Sequence, residues 1–156
     1  MTESGYFSAM MPLPLAEPST EYFWQGCAAR QLRIQKCSSC GAHRATPAPI
    51  CSHCHCLEYE WEVSRGEGHV FSYTIVHHSV HPSTHERVPY NVGIVELSDC
   101  GGVLLTSNVV GCANADLRVG MPVELVWDRV SEDLWLYRFT PRKTEPPAGN
   151  GTDHKP

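Results

Sequence analysis

Apolar and polar residues alternate in short runs through the second half of the chain. In "GHVFSYTIVHH" the alternation sets Phe71, Tyr73 and Ile75 on one face and Ser72 and Thr74 on the other, together with Val70 and Val76. The runs "YNVGIVEL", "GVLLTSNVV", "PVELVWD" and "LWLYRF" repeat the pattern, and Gly, Pro, Asn, Asp and Ser punctuate them. This predicts about five strands in roughly seventy residues with no helix between them, the pattern of a small barrel. We therefore expect a five-stranded OB-fold barrel over residues 63–140.

The first half reads differently. In "TEYFWQGCAAR", Ser19 or Thr20 offers a cap, Glu21 falls in the first turn, and Tyr22, Phe23, Trp24 and Cys27 give an apolar face. Gly26 weakens this helix. "QLRIQ" (Gln31–Gln35) and "EYEWEVS" alternate as short strands would. Residues 1–17 read as a flexible arm and residues 18–62 as a helix with a cysteine-rich unit. Residues 141–156, rich in Pro, Gly and charge, read as a disordered tail. The fold class expected is mainly β.

The cysteines change this picture. Five of the eight lie between Lys36 and Cys56. Cys37-x2-Cys40 and Cys51-x2-Cys54 form two pairs. Two residues between thiolates let one tight turn present both sulfurs to one ion, and two such turns complete a tetrahedral zinc site. Gly41 follows the first pair, where a positive φ lets backbone N–H groups face the sulfurs. His55 holds the equivalent place after the second pair. Cys56 competes with Cys54 for the fourth position, and His53 and His55 are close enough in sequence to enter the shell; the two-residue turn favours Cys54. Four thiolates leave no open coordination position, so the zinc expected here is structural. Iron is the rival metal for such a set. Cys27, Cys100 and Cys112 are scattered and read as buried small hydrophobes or loop thiols.

Charge and histidines add candidate contacts. From Ala28 to Leu57 there is no acidic residue, while Arg30, Arg33, Lys36 and Arg44 are present. Some of these cations balance the charge of about −2 on a zinc tetrathiolate. The functional reading is a patch for a phosphate-bearing ligand such as the nucleotide end of coenzyme A. His77, His78, His81 and His85 share one segment, but Pro82 argues for a loop there, and the loop reads as solvated or partner-facing. The net charge of −5 argues against a dominant nucleic-acid role. No apolar run reaches the roughly 18–20 residues of a membrane span. The N-terminus lacks a signal-peptide pattern, which points to a cytoplasmic protein.

The order of "EYFWQG", "LRIQKCSSCG", "CSHC", "GEGHVFSYTIVHH", "VPYNVGIVEL" and "LRVGMPVEL" resembles the DUF35 family, across roughly Ser19 to Phe139. The resemblance implies a rubredoxin-like zinc ribbon packed on an OB barrel, with zinc held by Cys37, Cys40, Cys51 and Cys54. It implies an accessory subunit, a hetero-oligomer partner of thiolase-like enzymes that act as acyltransferases or steroid side-chain aldolases on acyl-CoA substrates. It supplies no catalytic residue for this chain. His55 departs from the usual second knuckle. On this reading Tyr22, Phe23 and Trp24 form a docking element, with His77, His78 and His81 as a second contact; packing of the same aromatics on the chain's own barrel is the plainer alternative. A single-strand nucleic-acid binder, with Phe71 and Tyr73 as stacking platforms, is the alternative function. A small enzyme using the histidine loop is a third, for which no nucleophile–base pair is visible.

Overall fold

A computed structural model describes residues 11–45 and 47–142. The expected arm and tail therefore fall partly outside the described residues. Helix α1 (Glu21–Ala28) comes first. Its N-cap is Thr20, yet the Thr20 hydroxyl accepts from the Glu17 N–H at 3.0 Å, so it serves the preceding turn rather than the helix. The other end closes as a Schellman motif: Gln31 N–H donates to the Gly26 carbonyl at 2.8 Å, and Arg30 N–H to that of Cys27 at 3.0 Å. Arg30 takes the left-handed position at φ 56°. Gly26 sits inside the helix because the returning chain presses on it. A Cβ there would stand 2.7 Å from the Gln31 carbonyl and 2.8 Å from the Arg33 stem.

Strands β1 (Leu32–Cys37), β2 (His43–Arg44) and β3 (Tyr59–Ser64) form an antiparallel sheet in the order β2-β1-β3. Register divides their side chains between two faces. Ile34 pairs with Glu62 and Lys36 with His43, so one face carries Leu32, Ile34, Lys36, His43 and Glu62. Gln35 pairs with both Arg44 and Trp61, so the other carries Arg33, Gln35, Arg44, Tyr59, Trp61 and Val63.

Strands β4 (Glu67–Val76), β5 (Tyr90–Leu97), β6 (Leu104–Ser107), β7 (Pro122–Arg129) and β8 (Trp135–Pro141) make the second sheet, in the order β6-β5-β4-β7-β8. The sheet curls until its edges meet. Val109 bridges Phe139 in parallel, and Val110 N–H donates to the Phe139 carbonyl at 2.7 Å. Four antiparallel pairings and one parallel closure make the OB-fold, in the strands the alternation marked out. One detail differs. The β4–β5 register shifts between Val70 and Ser72, so a bulge inserts Phe71. Val70 pairs with Val95 and Tyr73 with Gly93, which brings Val70 and Tyr73 to the same inward face, while Phe71 is exposed. Simple alternation had placed Phe71 with Tyr73 and Val70 opposite.

Ribbon and barrel share a core. Phe23 and Cys27 from α1, and Leu32 and Ile34 from β1, join one buried cluster with Val70, Val95, Leu97, Leu105, Val123 and Phe139. The passage from β3 to β4 is pinned at several points. Ser64 Oγ donates to Asp99 Oδ1 at 2.9 Å, and Arg65 N–H to Asp99 Oδ2 at 2.6 Å. Gly66 turns the chain at φ 74°, and a Cβ there would stand 2.2 Å from Leu125 Cβ.

Candidate functional site

The two knuckles are copies of one turn. Gly41 N–H donates to the Cys37 carbonyl at 2.9 Å, and His55 N–H to the Cys51 carbonyl at 3.0 Å. Cys37 N–H donates to the Ala42 carbonyl at 2.9 Å, and Cys51 N–H to that of Cys56 at 3.0 Å. The matching positions take matching backbone: Gly41 has φ 73° and His55 has φ 59°. Histidine thus occupies the left-handed place that glycine fills in the first knuckle.

Four sulfurs converge between the knuckles. The Sγ atoms of Cys37, Cys40, Cys51 and Cys54 all lie within 4.8 Å of one another. Cys37 and Cys54 are 3.6 Å apart, as are Cys40 and Cys51. Zinc–sulfur bonds of about 2.3 Å in a tetrahedron set sulfurs about 3.8 Å apart, so the residues present fit a zinc ion. Backbone donors prepare the set for a cation. The Cys40 N–H pulls the Cys37 thiol down to about 6. The Cys54 and His53 N–H groups lower Cys51. Cys40 goes the other way: despite the Ala42 N–H, the adjoining Cys54, Cys51 and Cys37 thiols push it up to about 12. Four thiols this close cannot all ionise unless a cation offsets the charge. When bound, the ion supplies a closed cross-link between the knuckles. Cys56 stands outside the cluster, its Sγ 3.8 Å from the Glu58 carbonyl, and His53 and His55 are exposed.

The remaining thiols are of another kind. Cys27 and Cys100 are fully buried, and burial raises them to about 12 and about 11. Cys112 is half-buried and also raised by desolvation.

The four basic candidates are not brought together. Arg33 and Lys36 project from opposite faces of β1. Lys36 pairs with Glu62 at 3.4 Å, and His43 joins the same carboxylate at 3.0 Å. The His43 and Lys36 hydrogen bonds hold the Glu62 carboxyl below its usual range. Arg30 lies over the Trp135 ring of the barrel at 5.3 Å. Arg44 is buried, with its Nη1 donating to the Ala48 carbonyl at 2.8 Å.

The three helix aromatics also divide. Phe23 turns into the core, edge-on to Trp24 and Tyr137. Packing on the chain's own barrel accounts for it and removes it from any docking face. Trp24 is half-buried, and Tyr22 stays exposed. Tyr22 belongs to a stack that the local pattern does not announce. Arg33 lies over Tyr22 at 4.1 Å, Tyr22 meets Trp61 at 5.2 Å, Trp61 meets Tyr59 at 5.8 Å, and Arg44 lies over Tyr59 at 5.2 Å. This ladder, with exposed Val63 beside it, covers the outer face of the ribbon. Its members come from α1, β1, β2 and β3, so only cross-strand register reveals it.

His77 and His78 are exposed at the end of β4. His81 instead caps a 3₁₀ turn over Pro82–Arg87, accepting from Ser83 N–H at 3.2 Å. It lines a cavity of about 440 Å³ with Met11, Pro12, Leu136 and the Asp128–Arg138 ion pair. Phe71 and Tyr73 face opposite ways across the bulge, so they do not form a shared stacking platform. No helix among the described residues is long and apolar enough to cross a membrane.

Two family models match the chain in succession. The family model for the ChsH2 rubredoxin-like zinc ribbon domain matches residues 24–60, and that for the ChsH2 C-terminal OB-fold domain matches residues 61–128. A probable enoyl-CoA hydratase alpha subunit of Thermomonospora curvata is 35% identical over 133 residues, covering 85% of this chain. The chain spans only 40% of that relative's length. A DUF35 domain-containing scaffold protein of Methanocaldococcus jannaschii is 33% identical over 114 residues, which cover 68% of this chain and 78% of the relative. Among solved structures, a chain of the Ltp2-ChsH2(DUF35) aldolase superposes with a TM-score of 0.74 at 34% identity, covering 83% of this chain and 98% of that one.

Proposed function

Because the chain belongs to the DUF35 family, we propose that it is a non-catalytic, zinc-stapled accessory subunit of a thiolase-like, acyl-CoA-processing complex. The observation that carries this reading is the likeness, over nearly the whole of that chain, to the DUF35 chain of a two-component aldolase. The names of other relatives, an enoyl-CoA hydratase alpha subunit and a scaffold protein, support a role within an assembly on CoA thioesters. The partner's class, acyltransferase or steroid side-chain aldolase, follows from the family resemblance.

In this role Cys37, Cys40, Cys51 and Cys54 hold zinc, and the zinc holds the ribbon rigid. The aromatic stack of Tyr22, Trp61 and Tyr59, exposed at Tyr22 and Tyr59 and half-buried at Trp61, docks the partner, since Trp and Tyr are among the residues that dominate interfaces. Trp24, His77, His78 and His81 lie elsewhere on the surface as further candidate contacts. Of the basic residues on the ladder face, Arg33 donates to Gln31 Oε1 at 2.9 Å and to the Tyr22 carbonyl at 3.3 Å, which leaves Arg44 as the candidate for a phosphate of coenzyme A. Arg30 and Lys36 are engaged by Trp135 and Glu62.

Purification of the tagged chain from its native host, with identification of what comes with it, tests the reading. A thiolase-like protein in stoichiometric amount is the result expected. A lone monomer, beside thiolase-like enzymes that are soluble and active without it, would sink the reading.

A further inference from the structure

Arg44 on β2 is 7% exposed and Gln35, opposite it on β1, is 1% exposed. Both reach Ala48: its N–H donates to Gln35 Oε1 at 2.9 Å, and its carbonyl accepts from Arg44 Nη1 at 2.8 Å. Gln35 Nε2 and Arg44 Nε and Nη2 are then buried without an acceptor. Nε and Nη2 form the side-on edge of a guanidinium, two parallel N–H groups spaced to grip two oxygens on one centre. The flat face of the same group is separately occupied, with the Tyr59 ring 5.2 Å from Cζ. Buried donors nearly always have partners, and leaving a charged one unpaired is the costlier case. No acidic residue between Ala28 and Leu57 supplies one locally.

We propose that Gln35 and Arg44 form an oxyanion site beneath Tyr59, built for a carboxylate or a phosphate. Arg44 grips two oxygens side-on, and the Gln35 amide donates a third hydrogen bond. The site deepens the phosphate-contact part of the function proposed above. Arg44 and Tyr59 also belong to the ladder proposed to dock the partner, so the titration uses the chain alone; its failure leaves co-purification untouched, and the two failures are distinguishable.

The test is a titration of the zinc-loaded full-length protein, watching the Arg44 Nε–H signal by ¹⁵N NMR. Inorganic phosphate, acetate and coenzyme A are added separately at constant ionic strength. A saturable shift with phosphate or acetate, absent with chloride, is the result expected. Tighter binding of coenzyme A than of phosphate assigns the source to a nucleotide, and equal binding assigns it to the free ion. Gln35→Glu sets a carboxylate of the chain's own beside the fork, and phosphate binding should weaken about tenfold or more. If none of the three probes gives a saturable shift in the wild-type protein, the donors are served by water and the proposal is wrong. Undiminished phosphate affinity in a folded Gln35→Glu variant would equally overturn the placement.

Discussion

Ser64 and Asp99 meet across thirty-five residues of chain, hydroxyl to carboxylate at 2.9 Å, at the point where the ribbon ends and the barrel begins. The same carboxylate takes the Arg65 N–H, while Ser64 Oγ also accepts from Gly66 N–H at 2.9 Å. One side chain from the β5–β6 turn thus fixes the angle at which β3 becomes β4. Asp99→Ala removes both acceptors from a largely buried position and should cost about 1–3 kcal/mol. Urea denaturation of the zinc-loaded protein measures it. Asp99→Asn, which keeps one acceptor, should cost less.

Gly66 lies in the same turn and leaves no room for a side chain. Gly66→Ala meets a left-handed cost of about 1–2 kcal/mol and, beyond that, the collision with Leu125. A midpoint equal to wild type in the same urea experiment would show that the turn can shift.

The knuckle pair offers the opposite change. His55 holds the backbone conformation that Gly41 adopts without strain, and its side chain is exposed. His55→Gly should stabilise the zinc-loaded chain by about 1 kcal/mol or less, because released strain exceeds the added freedom of the unfolded chain. Thermal unfolding of the two proteins at equal zinc decides the sign.

Metal removal should be felt well beyond the ribbon. A structural zinc contributes on the order of 10 kcal/mol of apparent binding energy at neutral pH. The wild-type chain should carry one zinc by elemental analysis, and Cys51→Ser should carry less and melt lower. Loss of partner binding in that variant would reflect the unfolded ribbon rather than a missing catalyst.

Thiol reactivity in the metal-free protein has a worked sign. Cys37 is lowered to about 6 from an ordinary 9, so it is mostly thiolate between those values, while an ordinary thiol is mostly protonated. Its preference for the charged form favours the folded knuckle above pH 9 and fades as pH falls through 6. Cys37 is itself only 2% exposed, so alkylation at pH 7 followed by mass spectrometry should label it once the metal-free knuckle opens, ahead of the thiols of the shared core. Cys27 and Cys100, raised and buried, should resist until the chain unfolds. Zinc should protect Cys37 and leave the buried pair unchanged.

Partner docking through the ladder gives a separate expectation. Trp61 stands between Tyr22 and Tyr59, and Trp61→Ala should weaken partner binding by about 2 kcal/mol or more, roughly 30-fold, with zinc content unchanged. Calorimetry with the isolated partner reads this directly.

Local pattern carried much of this fold. Alternation marks the five barrel strands, and the two C-x-x-C pairs mark the knuckles, because period and spacing are properties of neighbouring residues. The Phe71 bulge escapes such a reading, since one inserted residue resets the alternation without changing composition. Three adjacent aromatics in α1 cannot all face one way, and only the packed barrel decides that Phe23 turns inward and Tyr22 outward. The ladder and the Asp99 clamp join residues from separate strands and turns. Their geometry depends on register, which no short window of residues contains.

The shared core joins the knuckles to the far side of the barrel. Leu32 and Ile34 sit directly upstream of Cys37 on one strand and in one cluster with Phe139. The ribbon is therefore no pendant finger that can melt alone. Its loss would strip cover from the barrel's own interior, so the whole chain should behave as one cooperative body in which zinc supply sets the lifetime of every part.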